Sequence, residues 1–110
     1  MNTVPLEQLS FEAFTQVVNT NFRVWVDTAD FLQLQLCEIS PPQVTAAGGT
    51  KGQAFENFAL VFRGPADRVL PQRIYTFESA ALGRFDLFIV PFSRDQNFTS
   101  YQATFNRLVK

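Results

Sequence analysis

Three carboxylates, Glu56, Glu78 and Asp86, lie on or beside strand-like segments in the middle of this 110-residue chain. Two carboxylates facing one cavity can share the work of general acid and general base. The hydrophobic alternation argues against that use. Glu78 and Asp86 fall on the parity opposite the apolar one. Glu56 shares the parity of Phe58 but sits at the start of its segment, where water reaches it. A charged outer face and a solvated strand end are the plainer reading. Four further charges, Arg63, Asp67, Arg68 and Arg73, gather around the connection from Gly64 to Pro71. Two or three arginines can hold a carboxylate or a phosphate. Asp67 is close enough in sequence to turn the group into a local ion-pair network that pins the connection. Trp25 lies on the polar side of its segment, as an exposed anchor for a partner or as a ring covered by an N-terminal helix.

Other chemistry is excluded by residue type. With no histidine in the chain, there is no Ser-His-Asp or Cys-His nucleophile and no histidine-bearing zinc site. Cys37 is the single cysteine, so neither an intrachain disulfide nor a cysteine zinc cluster is available, and it reads as a small buried strand residue. Gly48-Gly49-Thr50-Lys51-Gly52 has the flavour of a phosphate turn but lacks the strand–loop–helix frame that gives such a turn its dipole. The sequence therefore predicts no catalytic residue, no metal and no cofactor. Binding candidates are Arg63, Asp67, Arg68, Arg73 and Trp25.

The elements that must position these residues are mostly strands. From Phe55 to Phe92 the chain carries three strand-like segments. Phe58, Leu60 and Phe62 share one parity in the first, which Gly64-Pro65 is expected to end. Tyr75 and Phe77 share a side in the second. In the third, Phe85, Leu87 and Ile89 oppose Asp86, Phe88 and Val90, which predicts a strand covered on both faces and ended, or marked as an edge, by Pro91.

Upstream, Ser10 is a helix cap for Phe11 to Val18, a short helix that lids the core. Phe22, Val24 and Val26 make a half-buried strand joined by a tight turn to Leu32, Leu34 and Leu36. A change of parity at Cys37 predicts a β-bulge there. Residues 40–53 read as a long flexible loop, and Tyr101, Ala103 and Phe105 as the inward side of a last strand.

Composition agrees with one such domain over residues 1–110, with residues 1–9 as an arm. Apolar residues make up 46% and thirteen are phenylalanine, enough to fill a small core without staples. The expected fold is mainly β: a small antiparallel β-barrel or sandwich of about six strands with one short N-terminal helix. Its core is expected to hold Phe22, Val24, Leu34, Phe58, Leu60, Phe62, Tyr75, Phe77, Leu87, Ile89 and Phe105. A net charge of −1 gives no global reason to bind nucleic acid or an anionic membrane. The absence of a signal-peptide pattern and of a long apolar run predicts a cytoplasmic protein.

A wider pattern runs through the chain: Leu9-Ser-Phe-Glu-Ala-Phe14, Phe22-Arg-Val24, Glu38-Ile-Ser-Pro41, Phe62-Arg-Gly-Pro65, Leu70-Pro-Gln72, Leu82-Gly83 and Tyr101-x-Ala-x-Phe-Asn106. It resembles a family of short bacterial domains of unknown function, sometimes encoded near proteins with phage-tail-collar-like domains. The resemblance implies a compact β domain with an assembly role and transfers no catalytic motif. With no chemistry in evidence, the sequence points to a non-catalytic structural or protein-interaction module. Its partner would be another protein, or another copy, held at a strand edge such as that of Ser100 to Arg107. A ligand-binding barrel is the main alternative, and a carboxylate-dependent enzyme a more distant one.

Overall fold

The computed structural model describes residues 9–40, 43–46 and 54–109. After a short helix α1 (Phe11–Thr15) come seven strands: β1 (Asn21–Trp25), β2 (Phe31–Ile39), β3 (Gln43–Ala46), β4 (Ala54–Pro65), β5 (Arg73–Ser79), β6 (Gly83–Arg94) and β7 (Phe98–Val109). All pairings are antiparallel. The order β2-β1-β5-β6-β7-β4 closes on itself because β2 also pairs with β4, giving a six-stranded barrel rather than a sandwich. Beyond the barrel, β3 pairs with Ala54–Asn57 of β4. The expected loop over residues 40–53 thus contains a strand, built from Gln43, Val44, Thr45 and Ala46. Residues 41–42 and 47–53 of that loop, and residues 1–8 of the expected arm over 1–9, lie outside the described residues, while Leu9, the last residue of that arm, is buried in the core rather than loose.

The core follows the predicted parities. All eleven expected core residues are buried, and Leu9, Phe14, Val17, Leu36, Leu70, Phe85, Tyr101 and Ala103 join them. Phenyl rings meet along the barrel interior. Phe62 lies 5.5 Å from Phe22 and 5.1 Å from Phe77, and Phe77 lies 5.8 Å from Phe85, centroid to centroid. Most of these contacts are edge-on or tilted, the arrangement that sets positive ring edges against negative faces.

The Ser10 hydroxyl accepts from the Ala13 amide at 3.2 Å, so the predicted cap forms. The helix is shorter than expected: it ends at Thr15 and a turn carries the chain to Asn19, whose φ of 69° breaks helical continuation. Its task is to plug one end. Phe14 is fully buried, with ring centroids 4.9 Å from Phe105, 5.9 Å from Phe85 and 6.1 Å from Phe58.

The bulge on β2 is where the parity predicted it. The β2–β4 register shifts between Leu36 and Glu38, so Cys37 is the extra residue and is half-buried instead of being a core residue. Two punctuation signals did not end their strands. Gly64-Pro65 does not end β4: Gly64 pairs with Thr99 and Pro65 with Phe98. Glycine is required there by close approach, since a Cβ at residue 64 would overlap the Leu34 side chain. Pro91 does not end β6, which runs on to Arg94 past a second irregularity between Pro91 and Ser93, but it does mark an edge: past Ile89, among the described residues, β6 pairs with β7 and no longer with β5. Nor is the outer face of β6 covered, for Asp86 and Phe88 are exposed.

The last strand is not a simple edge. It pairs with β4 along twelve positions, Phe98 to Val109, and with β6 over Thr99 to Gln102. From Ala103 to Val109 its second side has no register partner among the described residues. The same holds for β6 from Gly83 to Ile89, whose register partners among the described residues are those of β5.

Candidate protein-binding face

The predicted site residues are spread over the barrel surface, not collected in one pocket. Arg68 binds Asp30, not Asp67. It reaches from the β4–β5 connection to the β1–β2 turn and donates to both carboxylate oxygens. That contact holds the Asp30 carboxyl below its ordinary range, chiefly through the hydrogen bond. Sequence proximity favoured Asp67, but the barrel brings the β1–β2 turn alongside the connection. Arg73 stacks over Tyr75 at 4.7 Å and donates to the Val26 carbonyl at 3.2 Å. Arg63 lies 4.3 Å over the Phe98 ring. Uncharged groups pin the connection too: buried Leu70 donates its amide to the Tyr101 hydroxyl at 2.9 Å. The Tyr75 hydroxyl donates to the Pro71 carbonyl at 2.6 Å.

Trp25 is neither fully exposed nor under the helix. Because β1 alternates, its ring lies on the outer face, 4.9 Å from Phe31 with Arg84 at 5.5 Å above it. Its indole N–H donates to Glu78 Oε1 at 3.2 Å. Glu78 also accepts from Arg84 Nε at 3.2 Å and has Arg23 at 4.0 Å. The Arg84 hydrogen bond, helped by Trp25 and the two guanidinium charges, lowers the Glu78 carboxyl from its usual range. This carboxylate is held ionised by its partners and has no shift toward the protonated form that a general acid needs at neutral pH. Asp86 accepts from the Thr76 hydroxyl at 2.8 Å. Glu78 and Asp86 are diagonal neighbours on the outer face, while Glu56 lies beside α1 and accepts from the Phe11 amide at 3.5 Å. The three carboxylates do not converge.

The feature that sequence reasoning missed lies between these charges. Ile74 on β5 and Phe88 on β6 are direct register partners on the outer face, 64% and 46% exposed. A groove of about 520 Å³ runs to one side of them, lined by Trp25, Arg73, Ile74, Thr76 and Arg84 among others. A second of about 330 Å³ lies to the other side, lined by Phe88, Val90, Gln102 and Thr104. Phe92, 55% exposed, continues the outward parity of β6. An apolar stripe thus crosses β5 and β6, with an indole at one end and uncharged polar groups at the other. The signal was present in the alternation, since Phe88 and Val90 are apolar on both sides of Ile89. A doubly apolar strand reads equally as covered by the protein itself or as open to a partner.

Among the described residues no group of three or more metal-binding side chains occurs, and no helix is long and apolar enough to cross a membrane. The family model "Domain of unknown function (DUF6916)" matches residues 9–105, and the chain belongs to that family. Comparison with curated proteins and with solved structures gave no match.

Proposed function

We propose that this DUF6916 domain is a non-catalytic protein-interaction module that binds through the outer face of β5 and β6. The observation that carries the reading is the Ile74–Phe88 pair. Two large apolar side chains lie side by side and partly in water, where burying the exposed part of each against a partner would stabilise a complex by about 1–2 kcal/mol. The grooves on either side give such a contact walls, and Trp25, Arg73 and Arg84 are residue types favoured at the energetic centre of interfaces. The resemblance adds a bacterial setting and phage-tail-collar-like neighbours. These make a subunit or accessory of a phage-tail-like assembly the specific form of the proposal. A barrel that carries a small ligand inside is the less favoured reading, because the closely packed rings of Phe22, Phe62, Phe77 and Phe85 occupy its interior.

The test is affinity capture from extracts of the source cells, comparing the native domain with an Ile74→Glu, Phe88→Glu variant. Both positions are exposed, so the variant is expected to keep its circular dichroism and melting temperature. A partner retained by the native domain and lost from the folded variant supports the proposal. A partner retained equally by both, or none retained by either, counts against it.

A further inference from the structure

The groove beside Phe88 lies where two strands part. Register pairs between β6 and β7 are confined to Val90–Arg94 and Thr99–Gln102. Below them, among the described residues, Gly83–Ile89 pairs only with β5 and Ala103–Val109 only with β4. Each strand therefore presents seven residues of main chain with one side lacking a ladder partner among the described residues, and the two open sides face the same fork. The groove of Phe88, Val90, Gln102 and Thr104 sits at its apex. The core behind the fork stays sealed: Phe85 and Phe105 remain buried because Phe14 of α1 wedges between them.

Unpaired strand amides and carbonyls at an open edge are satisfied by water or by another strand. We infer that an extended segment of the partner protein enters this fork and adds antiparallel to β6 along Gly83–Ile89. This rests on the protein-interaction reading above and names its mode, β-augmentation. The side chains of β6 set the chemistry of the segment. Arg84, Asp86 and Phe88 point outward, and Arg84 is already paired with Glu78. Asp86 has a hydroxyl partner, Thr76, and no cation within ion-pair distance among the described residues. Cross-strand neighbours of opposite charge, and apolar neighbours, are the favoured pairs. The segment thus carries an apolar residue opposite Phe88 and a basic one opposite Asp86, with apolar residues between them facing the Phe14 wedge. A second copy of this chain fits less well. Each free β6 side lies beside its own β7, so bringing two together drives one β7 against the other.

The probe is a capped synthetic peptide, Thr-Val-Ile-Lys-Val-Thr, whose antiparallel alignment lays valine opposite Phe88, lysine opposite Asp86 and threonine opposite Arg84. It is titrated into the ¹⁵N-labelled domain alongside a control N-methylated at alternate residues on the edge that meets β6. Shifts centred on the amides of residues 84–88 are expected, with no response to the control. The charge reversal Asp86→Lys is expected to weaken binding by about tenfold. Three outcomes overturn the inference: equal binding of the control, shifts centred on Trp25 and Ile74 that spare residues 84–88, or no shift at millimolar peptide. The first two leave side-chain docking on the outer face standing. The third removes strand addition at β6 and leaves the face itself to be decided by the Ile74, Phe88 variant.

Discussion

The two sides of β7 are built differently. Toward β4 it makes twelve consecutive register pairs, from Phe98–Pro65 to Val109–Ala54, with Phe58 stacked on Phe105 at 5.0 Å. Toward β6 it makes four, interrupted by the irregularity at Phe92, and then leaves its neighbour. One side is a seam and the other is a fork. The difference shows that a barrel can be closed in its topology while part of its main chain stays open. It also shows what substitutes for a ladder: where β6 and β7 part, a five-residue helix and one phenyl ring complete the core.

Removing that ring tests the substitution most severely. Phe14→Ala leaves a cavity among Phe58, Phe85 and Phe105 and is expected to cost about 3–5 kcal/mol in urea unfolding. Phe62→Ala, at the centre of the barrel and touching Phe22 and Phe77, is expected to cost a similar amount. If Phe14 contributed less than about 1 kcal/mol, the fork would be held by something other than the helix.

The seam side is sharpened by smaller changes. Gly64→Ala sets a methyl group against Leu34 and is expected to destabilise by about 1–3 kcal/mol, read as a lower denaturation midpoint at unchanged slope. Tyr101→Phe keeps the ring and removes the hydroxyl that satisfies the buried Leu70 amide, with an expected loss of about 1–3 kcal/mol. That loss should loosen the β4–β5 connection before the barrel, giving faster proteolysis between Pro65 and Arg73.

The smallest expected effect is electrostatic. Glu78 and Asp30 have carboxyl groups depressed below their unfolded values by Arg84 and Arg68. Each contributes stability that is present above the unfolded pKa and is lost as pH falls through the lower, folded value. Melting temperature is therefore expected to fall slightly on acidification from neutral pH to below 4, and the Glu78→Gln variant to show a shallower fall. The Arg68–Asp30 pair is exposed and the Arg84–Glu78 pair still reaches water, so salt should flatten the same curve. A larger acid dependence in Glu78→Gln than in the native domain would contradict this assignment.

Much of the fold was legible because alternation is a strong signal where one face is buried. Phe58, Leu60 and Phe62 announce their strand, and the parity change at Cys37 announces its bulge. Strand ends were less legible. Gly64-Pro65 and Pro91 look like terminators, yet Gly64 is there for close packing against Leu34 and Pro91 is accommodated beside an irregularity. The candidate face was the least legible. Phe88 carries the same apolar character whether its neighbour is this chain or another, and the pairing of Arg68 with Asp30 rather than Asp67 depends on closure of the barrel. Neither can be derived from local pattern.

The contrast between seam and fork is tested most directly by amide hydrogen exchange on the free domain. Leu60–Arg63 of β4 is paired on both sides, with β2 and with β7. In Gly83–Ile89 and Ala103–Val109, the amides directed across the fork are expected to exchange roughly a hundredfold faster than those of Leu60–Arg63, while alternate amides on the paired sides stay protected. Uniform protection of both fork segments at the level of Leu60–Arg63 would mean that β6 and β7 close on each other, and would contradict the open edge.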